Sequence, residues 1–273
     1  MRIPILIRLF IFYLLLLPLT NQSYAGAWAQ RKGHYYSKLT FIYLNSTQRF
    51  AFDQSLRRAP FSDLAAYFYI EYGIQNRGTV ILSSPVFKRS RYEDTTFRGT
   101  TTGIFSGDLQ LQYKYQLLDG PVVISALAGL KLPVIYDQGD LPPLGTGVID
   151  YDAKLLMGAS FYPIPAYITG DIGFRKRGEE FDNELHFNFE VGYTVRKKYL
   201  LRVFGNGIRS NNSDEIMMEP LQFAHQQDQT RLGGGLIYLI NSNLEADLSY
   251  LTTTSGRSIP KSQELYFGIA VKY

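Results

Sequence analysis

Alternating apolar and polar stretches, connections that are short and long by turns, and an aromatic carboxyl-terminal strand predict an all-β chain. The fold class they define is an antiparallel transmembrane β-barrel of about 12 strands. Hydrocarbon offers backbone groups no hydrogen-bond partner, so a sheet that spans a membrane must close on itself.

The stretches follow in order. Residues 35–44 set Leu39, Phe41 and Tyr43 on one face, and residues 64–72 keep Leu64, Ala66, Phe68, Ile70 and Tyr72 in step. The third, residues 79–84, is short. The fourth alternates Leu109, Leu111, Tyr113 and Tyr115 with Asp108, Gln110, Gln112 and Lys114. Residues 122–132 oppose Ile124, Ala126, Ala128 and Leu130 to Ser125, Gly129 and Lys131. Residues 150–160 oppose Tyr151, Ala153, Leu155 and Met157 to Asp150, Asp152 and Lys154.

The seventh stretch places Ile168, Ile172 and Phe174 against Thr169, Asp171 and Arg175. The eighth places Leu185, Phe187, Phe189, Val191 and Tyr193 against Glu184, His186, Asn188 and Glu190. Tyr199, Leu201 and Val203 then oppose Arg202 and Asn206. Leu232, Leu236 and Tyr238 oppose Arg231, Gly233 and Gly235. Leu244, Ala246, Leu248 and Tyr250 oppose Glu245, Asp247 and Ser249. The terminal strand carries Leu265, Phe267, Ile269, Val271 and Tyr273 on one face. It resembles the last strand of bacterial outer-membrane barrels, which the barrel-insertion machinery reads, so that machinery is an expected partner.

Connections supply an independent test. Residues 73–78, 117–121, 162–165, 196–198 and 241–243 are short, whereas 45–62, 88–105, 133–147, 178–183, 210–229 and 253–261 are mostly long and polar. Short periplasmic turns and long extracellular loops distinguish bacterial barrels in this way. The 133–147 loop, rich in Pro and Gly, is expected to fold inward and constrict the bore.

Residues 1–25 read as a cleaved signal peptide, with Arg2 and Arg8, an apolar run from Leu9 to Leu17, and Ser23-Tyr24-Ala25 before Gly26. A retained anchor is the weaker alternative. Residues 26–273 then form a single barrel domain in the bacterial outer membrane, embedded in its lipid. Cleavage removes two of 28 basic residues and none of 24 acids, leaving a net charge of +2. That near-balance predicts no nucleic-acid partner. The absence of cysteine excludes disulfides and thiol chemistry, and 21 Tyr and 18 Phe suit the aromatic girdles of a membrane barrel.

Gly107-Asp108-Leu109 leading into Gln112-Tyr113-Lys114-Tyr115, and Gly129-Leu130-Lys131-Leu132-Pro133, resemble outer-membrane proteins grouped under the MetA pathway of phenol degradation. Some members are termed XagA-like or transporter-type. The stretch 141–147 followed by Asp150-Tyr151, and Gly170 to Arg177, fit the same pattern. The resemblance implies a barrel that passes small organic or hydrophobic solutes, and no catalytic constellation.

Parity predicts the lumenal face. Its principal candidates are Lys114, Lys131, Asp152, Lys154, Asp171, Arg175, Glu184, His186, Glu190, Arg202, Arg231, Glu245 and Asp247, joined by Lys38, Glu71, Asp108, Asp150, Glu264 and Lys272. Acids and bases nearly balance, which predicts ion pairs reaching across the lumen and only a weak preference between ions. No catalytic, cofactor or metal residues are expected. His34 precedes the first strand, His225 falls in a long loop, and His186 shares the parity of Glu184 and Glu190. On one strand those two acids stand about 20 Å apart, too far to share a water.

Three functions therefore compete: a narrow channel or transporter for small (hydrophobic or aromatic) solutes, a structural or surface-binding envelope barrel, and a lipid hydrolase. Conduction separates the first two. Lipid hydrolysis with and without His186→Ala separates the third.

Overall fold

The computed structural model describes residues 26–93, 98–137, 139–178, 181–211 and 226–273. The signal segment and His225 lie outside the described residues. Strands follow one another as β1 (Tyr35–Phe50), β2 (Leu56–Gln75), β3 (Gly78–Glu93), β4 (Arg98–Ile104), β5 (Gly107–Leu118), β6 (Val122–Val134) and β7 (Asp150–Ser160). They continue as β8 (Ala166–Lys176), β9 (Glu184–Val195), β10 (Tyr199–Ser210), β11 (Asp228–Leu239), β12 (Leu244–Arg257), β13 (Ile259–Pro260) and β14 (Gln263–Lys272).

Each wall strand pairs antiparallel with its neighbours, and β1 pairs both β2 and β14, so the sheet closes. Leu39 faces Ile269 on one side and Phe68 on the other. Two strands stand outside the twelve-stranded wall: β4 pairs β3 alone, and β13 extends the edge of β1.

The barrel is inverted relative to a water-soluble fold. Phe41, Leu64, Leu155, Ile172, Val203, Leu248 and Phe267 are exposed on the outside, whereas Glu71, Lys114, Asp150, Asp152, Glu245 and Asp247 are buried within. A bilayer solvates the first set; the second needs partners.

Three of the expected long connections are strand instead. Residues 45–62 shrink to a turn at 51–55 between extended β1 and β2; residues 88–105 supply the end of β3 and β4; and β12 and β13 take up most of 253–261. At 20 residues β2 runs for about 66 Å, well over the 9–11 residues that a tilted strand needs to span. Beyond the bilayer both faces of such a strand meet water. The apolar alternation therefore stops although the pairing continues, as at Gln48 opposite Arg58.

Candidate functional site

The short turns, at residues 76–77, 119–121, 161–165, 196–198 and 240–243, mark the periplasmic end. From that end residues 26–34, just before β1, run up into the barrel. The wall satisfies their backbone with side chains, as buried polar groups require. Gln30 N–H donates to Thr79 Oγ1 (2.8 Å), and Ala29 N–H donates to Gln116 Oε1 (3.0 Å). Lys114 Nζ donates to the Gly26 carbonyl (2.8 Å), and Ser125 Oγ donates to the Ala27 carbonyl. The Gln30 side chain reaches Glu71 Oε2 at 3.0 Å.

Apolar contacts complete the plug. Ala27 is fully buried among Ile81, Val123, Leu127 and Leu156, while Tyr167, Leu200 and Ile237 form a second cluster. Trp28 packs against both, meeting Tyr167 edge-on with ring centroids 6.3 Å apart. These wall residues have lumenal parity yet are apolar. Val122-Val123, Leu155-Leu156 and Leu200-Leu201 are apolar on both faces, a signal that some chain must cover the inner one.

Lys114 and Glu71 are each 1% exposed, and their charges lie 3.3 Å apart; the Tyr69 hydroxyl also donates to Glu71. Such a pair is tolerated because both carboxylate oxygens have donors, Lys114 and Gln30 on Oε2 and Tyr69 on Oε1.

The remaining charges form ladders around the wall. Arg202 joins Glu190 (2.9 Å) to Asp247 (3.0 Å), Lys38 pairs with Asp247, and Lys272 pairs with Glu245 (2.9 Å). Toward the outer end Lys131 lies between Asp150 (2.6 Å) and Asp108 (3.3 Å). Arg177, a cation outside the expected set, meets Glu184 at 2.8 Å, and His186 Nε2 lies 2.8 Å from the same carboxylate. Arg175 grips Asp152 through two hydrogen bonds, Lys154 lies 3.4 Å from Asp171, and Arg231 lies 3.3 Å from Glu264.

The expectation that ion pairs cross the lumen is thereby corrected. Apart from His186 and Glu184, which share β9, these pairs join adjacent stretches of wall or strands one apart, because a lysine or arginine reaches across one or two spacings of about 4.8 Å but not a whole bore. Glycine makes the longer reach possible. Lys38 passes over Gly268 of β14, where a Cβ would lie 2.5 Å from Lys38 Cε, and in the register Gly235 of β11 stands between Arg202 and Ser249.

The loop at residues 135–149 tucks against the lumenal ladder. Asp108 accepts from the Tyr136 hydroxyl (2.7 Å) and the Thr146 amide (3.1 Å), Lys131 donates to Thr146 Oγ1 (2.6 Å), and Leu144 is buried. Burial, with the Asp108 carboxylate beside it, holds the Tyr136 phenol well above the ordinary tyrosine range.

Plug and loop leave part of the bore open. A cavity of about 300 Å³ is lined by Tyr36, Tyr69, Tyr167, Leu200, Ile237 and Arg202, among others. A second, of about 190 Å³, is lined by Asp171, Asn188, Phe204 and Asn206. Gly26, Thr169 and Glu190 line both. Of the thirteen principal candidates, Asp171, Glu190, Arg202 and Glu245 line these cavities; the other nine belong to the ladders or to the plug's anchor.

An inverted antiparallel barrel, charged within and closed without edges, is an outer-membrane β-barrel of a bacterium. The family described as "Putative MetA-pathway of phenol degradation" matches residues 58–268, well beyond the stretches that first carry the resemblance, and the chain belongs to it. No curated protein matches the chain. Among solved structures it is similar to an outer membrane channel from Pseudomonas putida F1, at TM-score 0.69 and 12% identity over 93% of this chain and 100% of that one. NanC porin follows at TM-score 0.52 and 10% identity, covering 85% and 100%. The translocator domain of the autotransporter NalP from Neisseria meningitidis gives 0.50 and 10%, covering 89% and 90%. At such identities the likeness is one of fold.

Proposed function

We propose that the protein is a narrow outer-membrane channel through which small solutes pass beside the N-terminal plug. The observation that carries this reading is the pair of cavities sharing Gly26, Thr169 and Glu190, which runs along β8–β12 and on to β14, β1 and β2, while the backbone of the plug is anchored to side chains of β3, β5 and β6. The larger cavity combines three tyrosine rings and three aliphatic side chains with a charged rim. That lining suits solutes with an apolar or aromatic body and one polar end, and the small volume disfavours oligosaccharides.

Swelling of proteoliposomes in uncharged solutes of rising size tests the proposal. Entry of small solutes but not of disaccharides supports it. Rates equal to those of protein-free liposomes for every solute overturn it.

The proposal extends to assembly. Leu265, Phe267 and Ile269 stand exposed on the outer face of β14, with Val271 and Tyr273 completing the strand end, and these are the groups offered to lipid and to the insertion machinery. Replacing Phe267 and Tyr273 with Ser should lower the folded yield in membranes; an unchanged yield would remove this part of the reading.

A further inference from the structure

We propose that the mature amino terminus itself is a charged element of the pore: the α-ammonium of Gly26, created by cleavage after Ala25, stands in the lumen and sets ion preference. The inference rests on the channel reading above and on that cleavage.

Gly26 is the innermost described residue of the plug. Its carbonyl is held by Lys114 Nζ at 2.8 Å, and a Cβ on it would lie 2.9 Å from Thr169 Oγ1 across the bore. It lines both cavities, so the path beside the plug passes this one residue. An uncleaved chain carries an ordinary neutral peptide nitrogen at this point. Cleavage converts it to an amine whose ordinary pKa is about 7.7–8.0, the only backbone group in the bore that titrates near neutrality.

The ionisable groups that share the cavities come from every side. Asp171 of β8 and Glu190 of β9 are the acids nearest the smaller cavity; Lys38, Arg202, Glu245 and Lys272 surround the larger one, with Tyr36, Tyr69 and Tyr167. Most are already committed. Arg202 pairs with Glu190 and Asp247, Lys38 with Asp247, Lys272 with Glu245, and Lys154 with Asp171. Lys114 beneath Gly26 is neutralised by Glu71. Paired charges cancel at a distance, so one positive charge added to this balanced set shifts the local potential. Below its pKa the ammonium favours anions; as pH rises through the pKa that preference is lost.

The test uses the full mature barrel, first checked by mass spectrometry for an amino terminus at Gly26. Three forms are compared in planar bilayers across a KCl gradient between pH 6 and pH 9. One keeps the free amine, one is transaminated while unfolded to a neutral glyoxylyl group, and one carries a dimethylated amine, which adds bulk but keeps the charge. The free and dimethylated forms should lose chloride preference with rising pH, by roughly two-fold or more in permeability ratio, whereas the neutral form should stay flat.

Identical profiles in all three forms overturn the proposal, as does an amino terminus found elsewhere. If no form conducts, the channel reading falls by itself. The ¹³C resonance of the dimethylated amine then decides the placement: a pKa equal to that of the unfolded chain overturns it, and a displaced pKa with protection from aqueous amine reagents sustains it.

Discussion

Lys114 Nζ stands 3.3 Å from the Glu71 carboxylate and 2.8 Å from the Gly26 carbonyl, so one buried cation ties wall strand β5 to both β2 and the plug. Breaking a buried pair from one side typically costs about 3–5 kcal/mol. Here the plug can leave before the wall unfolds. Lys114→Met should therefore release residues 26–30 while the barrel keeps its heat-modifiable migration. Trp28 is the only tryptophan, so its emission reports the plug directly. A red shift with increased acrylamide quenching is expected, and an unchanged spectrum would show that Lys114 does not hold the segment.

Gly158 tests the same contact without touching a charge. A Cβ there would lie 2.7 Å from the Trp28 ring. Gly158→Val should expel the indole, at a cost of roughly 1–3 kcal/mol for overpacking, and reproduce the fluorescence change. Trp28 emission like that of the wild type would place the ring elsewhere.

Asp108 gathers the Tyr136 hydroxyl, the Thr146 amide and Lys131 onto one carboxylate. Asp108→Ala leaves the Tyr136 hydroxyl and the Thr146 amide without that acceptor, at about 1–3 kcal/mol, while Lys131 keeps Asp150, and should free the 135–149 loop. Faster cleavage within 135–149 by protease added outside proteoliposomes is the expected result. Resistance equal to that of the wild type would mean that Leu144 and its packing hold the loop alone.

Arg202 neutralises Glu190 and Asp247 on the wall of the larger cavity. Arg202→Gln removes the cation from Glu190, leaves Asp247 to Lys38, and should move the reversal potential toward cation preference, by at least about two-fold in permeability ratio. No movement would show that ions do not pass this wall.

Much of this architecture is legible in the residues. Leu109, Leu111, Tyr113 and Tyr115 against Lys114 and its neighbours announce a wall strand, because a bilayer on one side and a polar lumen on the other impose a period of two. Where both faces meet water, as along Gln48–Phe50 and Leu56–Arg58, that period vanishes, and pairing without a pattern reads as loop. The ladder residues follow from parity, but their partners do not: Lys38 reaches Asp247 across β14, over bare Gly268, a matter of register.

The plug was the least legible part. Ala27 to Gln30 shows no strand pattern of its own, since wall side chains satisfy its backbone. Its trace lies instead in the wall, where Val123, Leu127, Leu156 and Leu200 are apolar on a face that should be wet.

Single-channel recording of the refolded mature barrel, with and without residues 26–30, tests the central claim most directly. The account predicts small current steps for the intact chain and steps several-fold larger once the plug is removed, from folded protein in both cases. Equal conductance in the two forms, or silence from both folded barrels, would contradict it.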